Sequence, residues 1–292
     1  MASWQTHVVC AYLRATRKGR YRTEERGRHS LAHGLPAVPP PEALAGRFRS
    51  EPLGTGELVT VRPVEGTAPE PGALVYLHGG AFVNGTMPQH WDLVGQLADR
   101  TGREVHVARY PLAPAHDVGE AHAFLAALHE RLGASAPLHV LGDSAGGNLA
   151  LLLAQARAGA GTIAGLTLIA PWLDLSMANP EIARVEPRDP WLTRAGMRPI
   201  AAHWLAGRDP RDPGASPLFG DLSSLPPTLV LVGSRDICRP DCDRLLELAP
   251  DGAELVLHVE EGSPHDYPLL PTPEGGRARD RIVDHVRATL AG

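Results

Sequence analysis

Lysine is almost absent from this chain. The sequence also lacks segments that would direct the protein to a membrane. Lys18 is the only lysine among 28 basic residues, a bias that we attribute to the codon usage of a GC-rich genome. No apolar run has the length needed to cross a bilayer. The first residues lack the basic and apolar regions of a signal peptide, so the sequence predicts no targeting segment and no membrane insertion.

Cysteine and aromatic residues are also scarce. Three cysteines cannot all pair, and their spacing matches no metal site, so we expect reduced thiols in a cytoplasmic protein without a metal ion or cofactor. The formal net charge is −5, so the composition as a whole gives no sign of a basic surface. Neither nucleic acid nor an anionic membrane is therefore an expected partner.

Strand-like and helix-like segments alternate over most of the 292 residues. Continuous apolar strands separated by amphipathic helices predict a mostly parallel sheet with helices on both faces. Residues 46–49 and 57–61 flank a glycine-containing turn and predict an antiparallel hairpin at the sheet edge. The other predicted strands are 73–77, 104–109, 138–141, 163–170, 228–232 and 255–259, and the predicted helices are 91–98, 118–132, 148–156, 240–249 and 277–290.

Two segments fall outside this alternation. Residues 1–45 begin with a helical pattern and end in a proline-rich stretch, and residues 176–207 carry apolar side chains at helical spacing. Open α/β sheets bind ligands at the carboxyl ends of their strands. We therefore predict a small helical cap, built from 1–45 and an insertion at about 176–207, over a catalytic domain of residues 46–292.

The hexapeptide Gly142–Gly147, Gly-Asp-Ser-Ala-Gly-Gly, is the strongest motif in the chain. It lies between a predicted strand and a predicted helix, where a sharp turn exposes a serine hydroxyl. Gly142 and Gly146 flank Ser144 where strand and helix backbones approach closely, so that a Cβ would clash. Ser144 is thus the candidate nucleophile.

A serine hydroxyl needs a positioned base, and the acid that orients this base precedes it in such folds. Asp236 follows the strand that ends at residue 232, and His265 follows the strand that ends at residue 259. Both therefore lie at the same sheet edge as Ser144. Asp241 and Asp266 are nearby carboxylates that compete with Asp236 for the orienting role.

The segment His78-Gly79-Gly80-Ala81-Phe82 directly follows the first parallel strand. Small residues let its backbone N–H groups converge on a developing oxyanion, together with the N–H of Ala145. We expect the Ala81 N–H to donate as a glycine would, provided that its φ angle stays negative. His78 is expected to organise this loop through a hydrogen bond.

These motifs resemble those of the hormone-sensitive-lipase family of α/β-hydrolases, bacterial esterases with a His-Gly-Gly-Gly loop and a Gly-Asp-Ser-Ala-Gly-Gly elbow. The resemblance runs from about residue 50 to the C-terminus and includes Tyr110-Pro111-Leu112-Ala113-Pro114. It implies an α/β-hydrolase fold with a cap and a Ser144–Asp236–His265 triad. It also implies oxyanion donors at Gly79, Gly80, Ala81 and Ala145.

Three positions depart from the family pattern. Ala81 replaces the third glycine of the loop, Pro111 replaces a common arginine, and Ile237-Cys238 follow Asp236 where Pro-Leu is usual. An apolar pocket under the cap, or alternatively the core, is expected to hold a group of large side chains. Its members are Phe82, Val83, Trp172, Met177, Trp204 and Tyr267, with Trp191 and Met197 beside them.

The predicted reaction is hydrolysis of small, short-acyl carboxylic esters, including deacetylation of one specific metabolite, by a monomer or homodimer. Activity should fall as the pH drops through the pKa of the histidine base, about 6.5 if it is unperturbed. Two other functions stay open at this point. They are a non-catalytic protein that binds a small molecule on a hydrolase fold, and a serine amidase or peptidase.

Overall fold

The central element is an eight-stranded sheet in the order β1-β2-β4-β3-β5-β6-β7-β8. The computed structural model describes residues 2–65, 70–133 and 136–291. β3 to β8 are parallel, whereas β2 runs antiparallel to both of its neighbours. The strands are Phe48–Leu53 (β1), Gly56–Val61 (β2), Ala73–Leu77 (β3), Val105–Arg109 (β4), Leu138–Asp143 (β5), Ile163–Ile169 (β6), Thr228–Gly233 (β7) and Leu255–Glu260 (β8).

Helices cover both faces of this sheet, which confirms the predicted fold class. α3 and α9 pack on one face and α4, α5 and α8 on the other, because successive residues of a strand point to opposite faces. The α-helices of the described residues are Trp4–Thr16 (α1), Glu24–Ala32 (α2), Pro88–Thr101 (α3), Val118–Leu132 (α4), Ala145–Ala156 (α5), Ile182–Val185 (α6), Arg194–Trp204 (α7), Arg239–Leu248 (α8) and Pro273–Leu290 (α9).

The predicted edge hairpin is present, although its first strand begins and ends later than expected. β1 and β2 are joined by a two-residue turn in which Gly54 has a φ of 55°. Sequence patterning placed the first strand before Ser50, but the turn geometry sets the register, so that Phe48 pairs with Val61.

The N-terminal helices and the 182–204 helices pack against each other. α2 and α7 approach so closely that a Cβ on Gly27 would lie 2.1 Å from the carbonyl oxygen of Gly196. The only lysine of the chain also joins these two segments, because Lys18 Nζ donates to the carbonyl oxygens of Glu186 and Asp189. The limits of the predicted cap, 1–45 and 176–207, stay a prediction.

Across the described ranges, no helix combines the length and the apolar character that membrane crossing requires.

Candidate active site

Ser144 lies at a strained turn between β5 and α5. Its backbone has a φ of 52° and a ψ of −116°, a conformation that L-residues rarely adopt. Glycines permit the turn, since a Cβ on Gly142 would lie 2.3 Å from the carbonyl oxygen of Gly146. A Cβ on Gly146 would lie only 1.9 Å from the carbonyl oxygen of Leu77. The close approach expected from the sequence therefore exists.

Ser144, His265 and Asp236 form a continuous hydrogen-bonded chain. His265 Nε2 lies 2.9 Å from Ser144 Oγ, and His265 Nδ1 lies 2.8 Å from Asp236 Oδ2. The other oxygen of Asp236 accepts from the backbone N–H of Cys238 at 2.8 Å. All three catalytic candidates are buried. This arrangement can deprotonate the serine hydroxyl and hold the imidazolium ion that results.

A second carboxylate, that of Asp266, contacts the Nε2 side of the His265 ring. Asp266 Oδ2 lies 3.2 Å from His265 Nε2, the nitrogen that also meets Ser144. Burial lowers the pKa of His265, but the carboxylates of Asp236 and Asp266 outweigh burial and raise it to about 10. Burial in turn raises the pKa of Asp266 well above its usual range, with His265 opposing. The raised pKa means that His265 keeps its proton at neutral pH, in contrast to the unperturbed base that the sequence predicted.

The other competitor for the orienting role lies elsewhere. Asp241 Oδ1 accepts from Asn179 Nδ2 at 2.9 Å, and burial raises its pKa to about 7. Cys238 joins Asp236 and His265 in a group whose donor atoms lie within 4.8 Å of one another. Burial raises the pKa of the Cys238 thiol, which favours the neutral form, whereas a metal ligand must be a thiolate. The absence of a metal site stays a prediction.

Of the four predicted oxyanion donors, Gly79 has its N–H already engaged. That N–H donates to Asp143 Oδ1 at 2.8 Å, and the Tyr76 hydroxyl donates to the same carboxylate oxygen. In the part of the chain that the structure describes, the N–H groups of Gly80, Ala81 and Ala145 have no acceptor. These three N–H groups are thus the ones available to an oxyanion. The role of Asp143 was missed because it joins two loops that are distant in sequence.

The condition that the sequence analysis set for Ala81, a negative φ, is not met. Ala81 has a φ of 55° and Phe82 a φ of 60°, the left-handed region that non-glycine residues adopt at a cost of about 1 kcal/mol or more each. The loop reverses direction here, and Val83 and Asn84 donate to the Gly80 carbonyl. The Ala81 N–H nevertheless has no acceptor among the described residues, so the positive φ does not prevent it from donating to an oxyanion.

His78 stabilises the 79–82 loop through a hydrogen bond and a ring contact. Its Nδ1 lies 2.7 Å from the carbonyl oxygen of Gly79, and its ring stacks on Tyr110. Burial, with the nearby His90 adding to it, lowers the pKa of His78 to about 4, so that the ring is neutral at physiological pH. These contacts are those of an organising residue and not of a proton carrier.

A cleft of about 320 Å³ opens above Ser144, near the lower end of the usual range for small-molecule sites. The N-terminal segment forms one wall, and Trp191 and Met197 of the cap form another. Trp191 stands edge-on to the His265 ring at 5.7 Å. None of the residues of the N-terminal wall had been predicted from the sequence. The wall consists of Val9, Tyr12, Leu13, Arg17, Arg20, Tyr21 and Leu35.

The six other side chains assigned to the pocket do not line this cleft. Each is at most 3% exposed and lies in the core: Phe82, Val83, Trp172, Met177, Trp204 and Tyr267. Phe82 stacks on Trp204 with ring centroids 4.3 Å apart and also on Trp172. The physical reason is that large apolar residues after the strands pack beneath the cap, whereas the N-terminal helices reach the opening.

A buried carboxylate between α6 and α7, that of Asp189, accepts a hydrogen bond from the loop that carries Asp236. Asp189 accepts from the N–H groups of Trp191 at 2.7 Å, Leu192 at 2.8 Å and Ile237 at 3.0 Å. Burial and the nearby Asp236 raise the pKa of Asp189 to about 6. The segment that carries Trp191, which contacts His265, is therefore hydrogen-bonded through Asp189 to the loop that carries Asp236.

Comparison with known proteins agrees with this geometry. Residues 74–269 match the family model described as α/β hydrolase fold. An acetyl-hydrolase from Streptomyces hygroscopicus is 38% identical over 217 residues, which cover 70% of this chain and 72% of that protein. Among solved structures, EstE5 soaked with p-nitrophenyl butyrate superposes with a TM-score of 0.82, with 26% identity and full coverage of both chains.

An esterase of the bacterial hormone-sensitive lipase family superposes with a TM-score of 0.75 at 27% identity, covering 99% of each chain. The fold and the matched residues define an enzyme of the α/β-hydrolase class. Within it, the chain belongs to the hormone-sensitive-lipase-like family.

Proposed function

We propose that this esterase of the hormone-sensitive-lipase-like family hydrolyses small, short-acyl carboxylic esters through a Ser144–His265–Asp236 triad and an acyl-enzyme. The observation that carries the proposal is the unbroken chain of contacts at 2.9 Å and 2.8 Å, beside three N–H groups that have no acceptor among the described residues. Relatives named acetyl-hydrolase and esterase support the choice of ester chemistry. The acetyl-hydrolase also favours an acetyl ester of one specific metabolite as the natural substrate.

In the proposed mechanism, His265 Nε2 takes the Ser144 proton while Oγ attacks the ester carbonyl carbon. The oxyanion accepts hydrogen bonds from Gly80, Ala81 and Ala145, and Asp236 stabilises the imidazolium. His265 then gives its proton to the departing alkoxide oxygen, which leaves the acyl group on Ser144. Water, deprotonated by His265, attacks this ester, and the carboxylic acid leaves as Ser144 regains its proton.

Cleft size supports a short acyl chain. A volume of about 320 Å³ must hold both parts of the ester, and drug-sized ligands occupy pockets of roughly 300–1,000 Å³. Cap residues Trp191 and Met197 close the space above His265 and Ser144. Long acyl chains would have to extend past these side chains into solvent.

Nitrophenyl esters from acetate to laurate, together with nitroacetanilide, test the proposal with wild type and Ser144→Ala. We expect turnover that is highest for acetate to butyrate and falls by at least about 10³-fold in Ser144→Ala. Ser263→Ala is the matched control, since Ser263 is a buried serine whose hydroxyl has no partner in the described residues. It should retain activity.

Three other results would contradict the proposal. Equal turnover by Ser144→Ala would remove Ser144 as nucleophile. Faster cleavage of the anilide than of the esters would favour an amidase. Tight binding of ester by wild type without turnover would favour a non-catalytic binding protein.

A further inference from the structure

The outer face of α1 is apolar and exposed, which is unusual for a surface helix. Trp4, Val8 and Tyr12 are spaced four residues apart and are 71%, 58% and 56% exposed, so they form one stripe along the helix. The exposed positions between them are His7 and Ala11, and the exposed Ala15 follows Tyr12. α1 contains no acidic residue and a single basic one, Arg14. Contiguous apolar surface of this kind marks an interaction site.

The stripe is fixed in place by the opposite face of the same helix. Glu274 of α9 accepts from Ser3 Oγ at 2.8 Å and from Thr6 Oγ1 at 2.7 Å, while Cys10 and Leu13 are buried. Trp4 and Val8 take no part in these contacts. Their exposure is therefore a property of the folded protein and not of a loose terminus.

Charge beside the stripe indicates the kind of partner. Residues 2–33 contain seven basic and two acidic residues, whereas the other residues of the chain contain 21 basic and 31 acidic ones. The net charge of −5 thus conceals a basic N-terminal segment. A helix with exposed Trp and aliphatic residues next to arginines is suited to the boundary between anionic headgroups and acyl chains.

The stripe is continuous with the cleft. Tyr12 belongs to the stripe and also lines the cleft above Ser144, as do its neighbours Val9 and Arg17. A surface that docks on α1 would lie against the cleft opening. Docking in the interfacial plane needs no spanning helix.

We propose that the α1 stripe and the arginines beside and after it dock the protein on an anionic lipid surface, with the cleft opening at that surface. This inference does not depend on the proposed ester hydrolysis, because binding is measured without turnover. It revises the expectation, based on the whole-chain charge, that an anionic membrane is not a partner.

The test is binding to phosphatidylglycerol vesicles, with phosphatidylcholine vesicles as the uncharged comparison. Of the five tryptophans, Trp4 is the most exposed, and Trp91, Trp172 and Trp204 are buried. We therefore expect a blue shift of tryptophan emission with phosphatidylglycerol at low salt, lost in Trp4→Phe. In co-sedimentation, Trp4→Ser/Val8→Ser should bind at least tenfold more weakly, and high salt should weaken wild-type binding.

Val256→Ser is the matched control, because Val256 is 62% exposed on β8, far from the N-terminal segment in sequence. It should bind vesicles as wild type does. Turnover of 4-nitrophenyl acetate should be unchanged in the Trp4/Val8 double variant, so a failure of the proposed function would be seen separately. Absence of wild-type binding at low salt would overturn the inference, as would equal binding by the double variant. A dimer that the double variant dissociates, without vesicle binding, would assign the stripe to a second copy of the chain.

Discussion

Asp266→Asn tests the electrostatics of the site most sharply. Asn tolerates the left-handed backbone that Asp266 adopts, with a φ of 52°, so the variant removes a carboxylate with little change of shape. The base must be neutral to accept the Ser144 proton, and a raised His265 pKa moves the acid limb of kcat/KM to higher pH. Removing the carboxylate lowers that pKa, so the limb should move to lower pH.

The size of the shift follows from the 3.2 Å between His265 Nε2 and Asp266 Oδ2. A unit charge at this distance contributes roughly 1.3 kcal/mol at the dielectric constant of water and about 5 kcal/mol at an effective value of about 20. Because burial favours the protonated form of Asp266, its negative charge acts on His265 only in part, and we adopt the smaller figure as a lower bound. About 1.4 kcal/mol is one pKa unit, so we expect a shift of at least about one unit.

The assay is kcat/KM for 4-nitrophenyl acetate between about pH 6 and pH 11, corrected for spontaneous hydrolysis, a range that includes the raised His265 pKa of about 10. Asp241→Asn is the control, since Asp241 is also a buried carboxylate but bonds to Asn179 and not to the triad. Its acid limb should coincide with that of wild type. If Asp266→Asn leaves the limb unmoved, Asp266 does not influence the base and the reasoning fails.

Three further predictions concern backbone strain and the cap. Ala81→Gly should stabilise the fold by about 1 kcal/mol, because relief of a positive φ exceeds the entropy gained by the unfolded chain. Calorimetry should show a higher Tm with activity retained, and a lower Tm would contradict it. Gly146→Ala should cost about 3 kcal/mol or more, since its Cβ meets Leu77 at 1.9 Å. Gly276→Ala, where nothing lies within 4 Å, should not destabilise in the same urea titration. Asp189→Asn should lower kcat about tenfold with little change of KM, because an amide cannot accept all three N–H groups; unchanged kinetics would exclude a positioning role.

Local patterns predicted the parallel sheet and the close approach of Ser144, His265 and Asp236, because these features have local requirements. A parallel sheet needs continuous apolar strands, and the turn at Ser144 needs glycines where backbones meet. Both requirements can be recognised in short stretches of the sequence. The order of acid and base followed from the positions of Asp236 and His265 after their strands. The same sheet edge brings them to Ser144.

The features that were missed depend on contacts between distant parts of the chain. Gly79 loses its N–H to Asp143, which lies 64 positions later. The cleft wall comes from the N-terminal helices, which reach Ser144 because α2 packs on α7 and α1 is anchored to α9. No periodicity in the sequence encodes such a pairing. Residue type does not separate the aromatic residues of the core from those of the cleft. Phe82 and Trp191 could therefore not be assigned to one or the other before the fold was known.

Labelling with a fluorophosphonate, followed by mass spectrometry of the intact protein and of its peptides, tests the central claim most directly. The account predicts one adduct per chain, located on Ser144, that is absent from Ser144→Ala and forms at least about 10²-fold more slowly in His265→Gln. An adduct on another residue, or labelling of Ser144→Ala at the wild-type rate, would contradict the assignment of Ser144 as the nucleophile.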